Sequence, residues 1–286
     1  MRPELSSLDR VFMEPTLIDD QVIKSIISQC KPKCKRTHMF EGFKVVKILS
    51  RGKILHSYFS FLNLDSEVYA LGPTLGKGAY GKVKLGLNLR TGLKIAIKVQ
   101  TGSRRRDVQK QTALTRDFGV GHAGEVCGPF YDEETSYIVL PLAKGSLRNY
   151  FNRGVYTLKQ IYIIVYQIAI QLQELHASGR VHLDLRPDNI LMFGDDAYIA
   201  DFGLCMTAGI RLYGLNEPPL KYKWAPPERF MLESCEVQPS IDLYGLGYVV
   251  SWFVPKFDDR VLKAIQERLM DWNPAARGTL DEVESL

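Results

Sequence analysis

The spacing of apolar positions changes character twice along the chain. In the first stretch Ile18, Val22, Ile23, Ile26 and Ile27 recur on one helical face, which predicts a helix from Leu17 to about Cys30. Two runs with strand chemistry follow, FKVVKIL at 43–49 and LHSYFSFL at 55–62. Residues 1–66 are therefore expected to be an N-terminal extension whose apolar runs pack on something rather than trail away. From Val68 short strand-like runs come in succession, near 68–75, 82–89, 93–99, 126–131 and 136–141, parted by turns containing Gly, Asn or acids. A helical pattern occupies roughly 104–118. After Gly145 the chain turns mainly helical, with helices expected at 146–152, 158–178, 239–253 and 259–271. Strands over about 67–142 before helices over about 143–286 predict a two-lobed α+β domain, and nucleotides favour a cleft between such lobes.

Length and charge narrow this picture only slightly. A chain of 286 residues can bury a substantial core. The formal charge of +5, from 37 basic and 32 acidic side chains, permits an acidic or phosphate-bearing partner without demanding nucleic acid. Lys31-Pro32-Lys33 with Lys35-Arg36, and Arg104-Arg105-Arg106, read as solvated surface, or as nuclear-import, membrane-surface or docking patches. The five cysteines are odd in number and scattered, and MRPELSSLDR lacks an apolar secretory core. Reduced thiols and a cytoplasmic setting are the expectation, with the nucleus or a host-cell cytosol left open. Cys30, Cys34 and His38 fall one ligand short of a closed zinc site. The apolar run IYIIVY at 161–166 is too short for a transmembrane segment.

The chemistry concentrates in VHLDLRPDNILMFGDDAYIADFG at 181–203. It sets His182-Leu183-Asp184, then Asn189 five residues after that Asp, then Asp201-Phe202-Gly203 twelve after the Asn. Two carboxylates and an amide on short connections are what a magnesium nucleotide needs. One carboxylate accepts the proton of an attacking hydroxyl, while the Asn and the other carboxylate hold metal against the phosphates. Upstream, LGKGAYGKV at 75–83 places glycines at 76, 78 and 81, where backbone amides can approach phosphate oxygens with no Cβ in the way. Alone, this could be an ordinary glycine-rich hairpin. Its place between two strand-like runs speaks against a dinucleotide-binding βαβ unit. Fifteen residues past Val83, IAIKV puts Lys98 in an apolar strand, where a lysine is costly unless it meets an anion or snorkels to water from an edge.

Glycine loop, strand lysine, HxD…N and DFG in this order resemble the eukaryotic-type protein kinases over about Val68 to Leu286. That resemblance implies ATP and Mg²⁺ as cofactors and protein substrates as partners. It implies Asp184 as catalytic base, Asn189 and Asp201 as metal ligands, and Lys98 and Arg186 as phosphate contacts. Leu75, Val83, Ala96, Leu140 and Leu191 would enclose the adenine ring, with Gly76, Gly78 and Gly81 above the phosphates. Leu140 would be the gatekeeper, and Pro141 and Ala143 would offer backbone groups to the adenine edge.

Further motifs and departures bear on regulation and substrate. Pro226-Pro227-Glu228 stands in the Ala-Pro-Glu position, Asp242 where the family's acid fastens the catalytic loop, and Arg277 where an ion-pair partner for Glu228 is expected. This set favours a protein substrate over a small molecule. The short interval to Arg277 predicts that the helix following Phe253 is absent or vestigial. Leu183 replaces the arginine that commonly grips an activation-loop phosphate, which predicts activity without that phosphate. No Glu occurs in 99–124 to face Lys98, so Asp107, Gln111 and Asp117 are the candidates, with the apolar positions of QKQTAL–TRDFG leaning to Gln111. Arg186-Pro187 points to Ser/Thr specificity, whereas Lys223-Trp224 resembles tyrosine and tyrosine-kinase-like enzymes. The competing reading is a pseudokinase, a binding or scaffold module that keeps the fold. A regulatory partner remains unspecified.

Overall fold

The computed structural model describes residues 37–48, 54–64, 67–78, 81–88, 90–131, 135–153, 156–213, 222–231 and 233–284. The helix expected at Leu17–Cys30 lies outside them, as do Cys30 and Cys34. The chain divides into two compact units, one running to Thr112 and resuming over Gly124–Leu142, the other comprising Ala113–Ala123 and everything from Ala143.

The first unit is built on one antiparallel sheet. Its strands are β1 (Thr37–Ile48), β2 (Ile54–Leu64), β3 (Glu67–Gly78), β4 (Gly81–Asn88), β5 (Lys94–Thr101), β6 (Cys127–Tyr131) and β7 (Thr135–Pro141). They lie in the order β1-β2-β3-β4-β5-β7-β6. Alternation with period two sends Leu62 and Leu64 of β2, Tyr69 and Leu71 of β3, Ile97 and Val99 of β5, and Tyr137 and Val139 of β7 into one apolar layer. The extension strands thus share the sheet, with Ser60 to Leu64 of β2 paired against Leu71 to Glu67, and β2 shares the core through Leu62 and Leu64. Each fully buried Leu there contributes roughly 1.5–3 kcal/mol of hydrophobic stabilisation. Helix α1 (Arg105–Phe118) follows β5, and its Val108, Gln111 and Thr112 are buried.

The second unit is mainly helical. After β8 (Gly145–Ser146) and helix α2 (Leu147–Arg153), helix α3 (Leu158–Ala177) carries the central apolar face. Ile161, Ile164, Val165, Ile168, Ala169, Leu172 and Leu175 recur at three- and four-residue intervals, and all are buried in the unit's core. Its start is fixed by a capping box in which the Thr157 hydroxyl accepts from Gln160 N–H and the Gln160 side chain accepts from Thr157 N–H.

Short strands then carry the loops that matter. These are β9 (Arg180–Val181), β10 (Ile190–Phe193), β11 (Asp196–Ile199), β12 (Met206–Thr207), β13 (Arg211–Tyr213) and β14 (Ser234–Glu236). Strands β10 and β11 form a hairpin, β8 pairs with β10, β9 with β12, and β13 with β14. Helices α4 (Glu228–Met231), α5 (Ser240–Ser251), α6 (Val254–Phe257), α7 (Arg260–Leu269) and α8 (Leu280–Glu284) complete the unit. Helix α5 is buried nearly all round. A Cβ at Gly245 would lie 2.9 Å from the Leu185 carbonyl oxygen and one at Gly247 would lie 2.9 Å from the Leu269 Cβ, so small residues bring α5 against the loop at 182–189 and against α7. Between Phe253 and α7 lies only the four-residue α6, in keeping with the vestigial helix expected there.

Candidate active site

In the first unit, the β3–β4 hairpin places Gly76 opposite Val83 and Gly78 opposite Gly81. A Cβ at Gly76 or Gly78 would meet nothing within 4 Å, so these glycines leave an open backbone face rather than a tight packing contact. Gly81 differs. Its φ of +135° and the Val99 carbonyl 2.1 Å from a would-be Cβ both require glycine. Leu75 is exposed and Val83 half-buried. Ala96 pairs with Leu85 on one side and Leu140 on the other, and Lys98 with Val83 and Ile138. Ala96, Lys98 and Gln100 alternate to the face of β5 opposite Ile97 and Val99.

Lys98 is 9% exposed, and Gln100 and Gln111 are buried more deeply still. The Gln100 side-chain amide donates to Gln111 Oε1 at 3.0 Å, so α1 presents a neutral amide, not a carboxylate, to this interior. Asp107 sits exposed in the first turn of α1. Asp117 is turned outward, 46% exposed, and accepts from Arg116 Nε at 2.9 Å. Of the three candidates to answer Lys98, only Gln111 is buried in that unit. Leu140 and Pro141 end β7 half-buried.

In the second unit, the loop after β9 is fastened by Asp242 of α5. The Asp242 carboxylate accepts from the backbone N–H of His182 at 2.7 Å and of Leu183 at 2.8 Å, and meets His176 Nε2 at 2.9 Å. This clamp holds Leu183 in the left-handed region, at φ 68°, a strained conformation for a residue with a Cβ. His182 is fully buried. Its Nδ1 accepts from Asp184 N–H at 3.3 Å, which leaves Nε2 as the N–H that donates to the Ala200 carbonyl at 3.1 Å. The imidazole thereby ties the residue before Asp201 to the residue before Leu183, and its ring meets Phe202 edge-on.

The Asp184 carboxylate is gripped at both oxygens. Asn189 Nδ2 donates to Oδ2 at 2.7 Å and to the Asp184 backbone carbonyl at 2.8 Å, while Trp224 Nε1 donates to Oδ1 at 2.7 Å. Burial pushes the carboxyl pKa upward, against the opposing pull of His182, Arg186, Asn189 and Trp224. Arg186 donates through Nε and Nη2 to Asp188 Oδ2 and lies 4.0 Å over the Trp224 ring. With its amide nitrogen committed to Asp184, Asn189 has its Oδ1 to offer a cation. Asp201 stands in the left-handed region at φ 62°, its carboxylate accepting from Gly203 N–H at 3.4 Å. One carboxylate and one amide oxygen are hard donors of the kind Mg²⁺ takes. Among the described residues no group of three or more His, Cys, Asp or Glu could hold a metal ion by itself. Ala143 and Leu191 are half-buried in this unit, Leu191 opposite Ser146.

Glu228 and Arg277 meet as the resemblance implied, through two parallel bonds of 2.7 Å. The Trp224 bond to Asp184 and the double engagement of Asp188 were not foreseen. The indole that marks Lys223-Trp224 in the sequence was the only signal of the first. Among the described residues no helix is long and apolar enough to cross a membrane.

A family model for the protein kinase domain matches residues 69–273. The chain is 26% identical over 251 residues to an Aurora kinase of Schizosaccharomyces pombe, covering 76% of this chain and 70% of that protein. An Aurora kinase of Yarrowia lipolytica is 26% identical over 211 residues, 70% of this chain and 56% of the relative. The probable serine/threonine-protein kinase MARK-C of Dictyostelium discoideum is 30% identical over 196 residues, 64% of this chain but only 25% of its own length.

Proposed function

Because the chain belongs to the protein kinase family, whose domain model covers residues 69–273, we propose that it transfers the γ-phosphoryl group of ATP to serine or threonine hydroxyls of protein substrates. The observation that carries this reading is the Asp184 carboxylate, held at both oxygens on a loop that Asp242 fastens from beneath. A rigid, partly buried carboxylate is suited to orient a substrate hydroxyl and accept its proton. Asn189 Oδ1 and Asp201 would hold Mg²⁺, which when bound neutralises charge on the phosphates. Lys98, the remaining N–H groups of Arg186 and the backbone of Gly76, Gly78 and Gly81 would meet phosphate oxygens. By the resemblance, Leu75, Val83, Ala96, Leu140 and Leu191 would enclose adenine, with Pro141 and Ala143 offering backbone groups.

Two further points support the finer reading. Leu183 packs against the apolar cluster of Val181, Val237 and Ile241 together with Met206, Ala208 and Leu212. An apolar contact thus joins the catalytic loop to the segment after Phe202, where an arginine would have needed a phosphate. Serine or threonine specificity is supported by Arg186-Pro187 and by the likeness to a probable serine/threonine-protein kinase of Dictyostelium discoideum. The test is incorporation of labelled phosphate from ATP into generic protein acceptors by chain shown by mass spectrometry to carry no phosphate. Label on serine and threonine is expected, lost at least a thousandfold, by about 4 kcal/mol of transition-state stabilisation, in Asp184→Ala and Asp201→Ala. Incorporation indifferent to both substitutions would reject the assignment. The neutral Gln111 favours one rival, a nucleotide-binding module without transfer. That rival predicts ATP binding by the intact chain with no label transferred.

A further inference from the structure

The two oxygens of Asp184 are held from distant parts of the sequence. Oδ2 is held by Asn189 from its own loop, and Oδ1 by Trp224, forty residues on, in the segment that leads to Glu228. At 2.7 Å the indole bond lies at the short end of the range for a donor meeting a charged oxygen. An indole N–H donates and cannot accept, so Trp224 can orient the carboxylate but can take no proton from it. Each carboxylate oxygen still has a second lone pair for a substrate hydroxyl, so the indole need not leave during turnover.

What holds the indole there is a closed ring of side chains. The Trp224 ring lies 6.4 Å from Tyr248 of α5, and Tyr248 lies 6.3 Å from Trp252. Arg148 sits 4.8 Å over the Trp252 ring and reaches Asp188 Oδ1 at 2.8 Å. Asp188 also accepts from Arg186, whose guanidinium lies back on Trp224. Tyr222 closes on the indole edge-on at 5.5 Å. The ring fixes the indole plane from the α5 side and from the catalytic loop at once, with no group that requires modification.

We propose that Trp224 is a positioning residue for phosphoryl transfer, orienting the Asp184 carboxylate through its indole N–H and Arg186 through its ring, so that the end of the activation segment is latched to the catalytic loop without phosphate. This rests on the kinase reading above. Trp224→Phe keeps an aromatic ring for stacking and removes the donor together with the five-membered half of the indole. The expected result is a fall in kcat of about tenfold to a hundredfold, the loss of one hydrogen bond to a charged group, with KM for ATP and the thermal midpoint unchanged. An unchanged kcat overturns the proposal, and so does a raised one, which would make the contact inhibitory.

A second measurement needs neither activity nor that variant. In the ¹⁵N spectrum of the full chain, Asp184→Asn is expected to move the Trp224 indole resonance strongly, as its acceptor loses charge. The resonance is assigned by elimination with Trp252→Phe and Trp272→Phe. A stationary Trp224 resonance overturns the proposal. Absence of phosphotransfer by the intact chain would sink the kinase reading while the spectrum still decides this one.

Discussion

Arg277 shows how much a single side chain can carry here. It is fully buried, with Nη1 and Nη2 each 2.7 Å from a Glu228 oxygen, Nη1 also 2.9 Å from the Ser240 carbonyl, and Nε 2.8 Å from the Asp271 carbonyl. Such a pair offsets its own desolvation only while both partners are present. Glu228→Gln is therefore expected to destabilise the chain by about 3–5 kcal/mol, because it leaves a guanidinium buried without counter-charge. The double variant Glu228→Leu with Arg277→Met should lose less than either single charge removal. Denaturant midpoints of the three proteins check this, and a double variant weaker than Glu228→Gln would show that the pair is not the unit of stability. The partnership was legible from sequence because both residues sit in recognisable motifs. The Trp224 bond was not, since no spacing rule says which residues forty apart will meet.

At the scale of elements, long periodic segments were legible and short or interrupted ones were not. Helix α3 matches its expected span because its apolar spacing is unbroken, and strands β3 to β7 lie within a few residues of theirs. Strand β1 begins at Thr37, well before the FKVVKIL run, because its register with β2 shifts between Phe40 and Phe43 and breaks the alternation there. The two-residue strands β8, β9 and β12, and the four-residue α4, are too short to leave any period in the sequence, yet β9 leads directly into the catalytic loop and β12 pairs with β9. Within the β3–β4 hairpin the glycines were read as equivalent, and the structure separates them. Gly76→Ala and Gly78→Ala meet open space at ordinary φ, so the thermal midpoint should hold. KM for ATP should rise in both if phosphate approaches that face. Gly81→Ala must move the Val99 carbonyl and adopt a φ of +135°, so it should lower the midpoint by itself. Unaltered ATP kinetics in the first two variants would remove the hairpin from the phosphate site.

For the molecule as a whole, the extension cannot be treated as a separate appendage, since Leu62 and Leu64 are part of the same apolar layer as Ile97 and Val139. The sequence announced apolar strands there but could not name their partner, because pairing of β2 with β3 is a tertiary choice among many exposed edges. Both units carry tyrosines that resist ionisation, which makes alkaline stability a test of the cores together. Tyr69 in the first unit is raised to about 12 by burial, then by Cys127 and Glu67. In the second unit Tyr156 is raised to about 12 by burial and then Tyr150, and Tyr162 to about 12 by burial and its bond to Asp259. A phenol whose folded pKa lies above its ordinary value of 10.0 contributes stability that is complete below pH 10.0 and lost as pH rises through about 12. Unfolding should therefore set in across that window, with a late fraction of tyrosinate absorbance appearing together with loss of the circular-dichroism signal. Among the described residues the Tyr156 hydroxyl is buried with no hydrogen-bond partner. Tyr156→Phe should then leave neutral-pH stability equal or higher and delay alkaline unfolding. Tyrosinate formation complete near pH 10.0 in a still-folded chain, or a destabilised Tyr156→Phe at neutral pH, would show that these side chains are not enclosed as described.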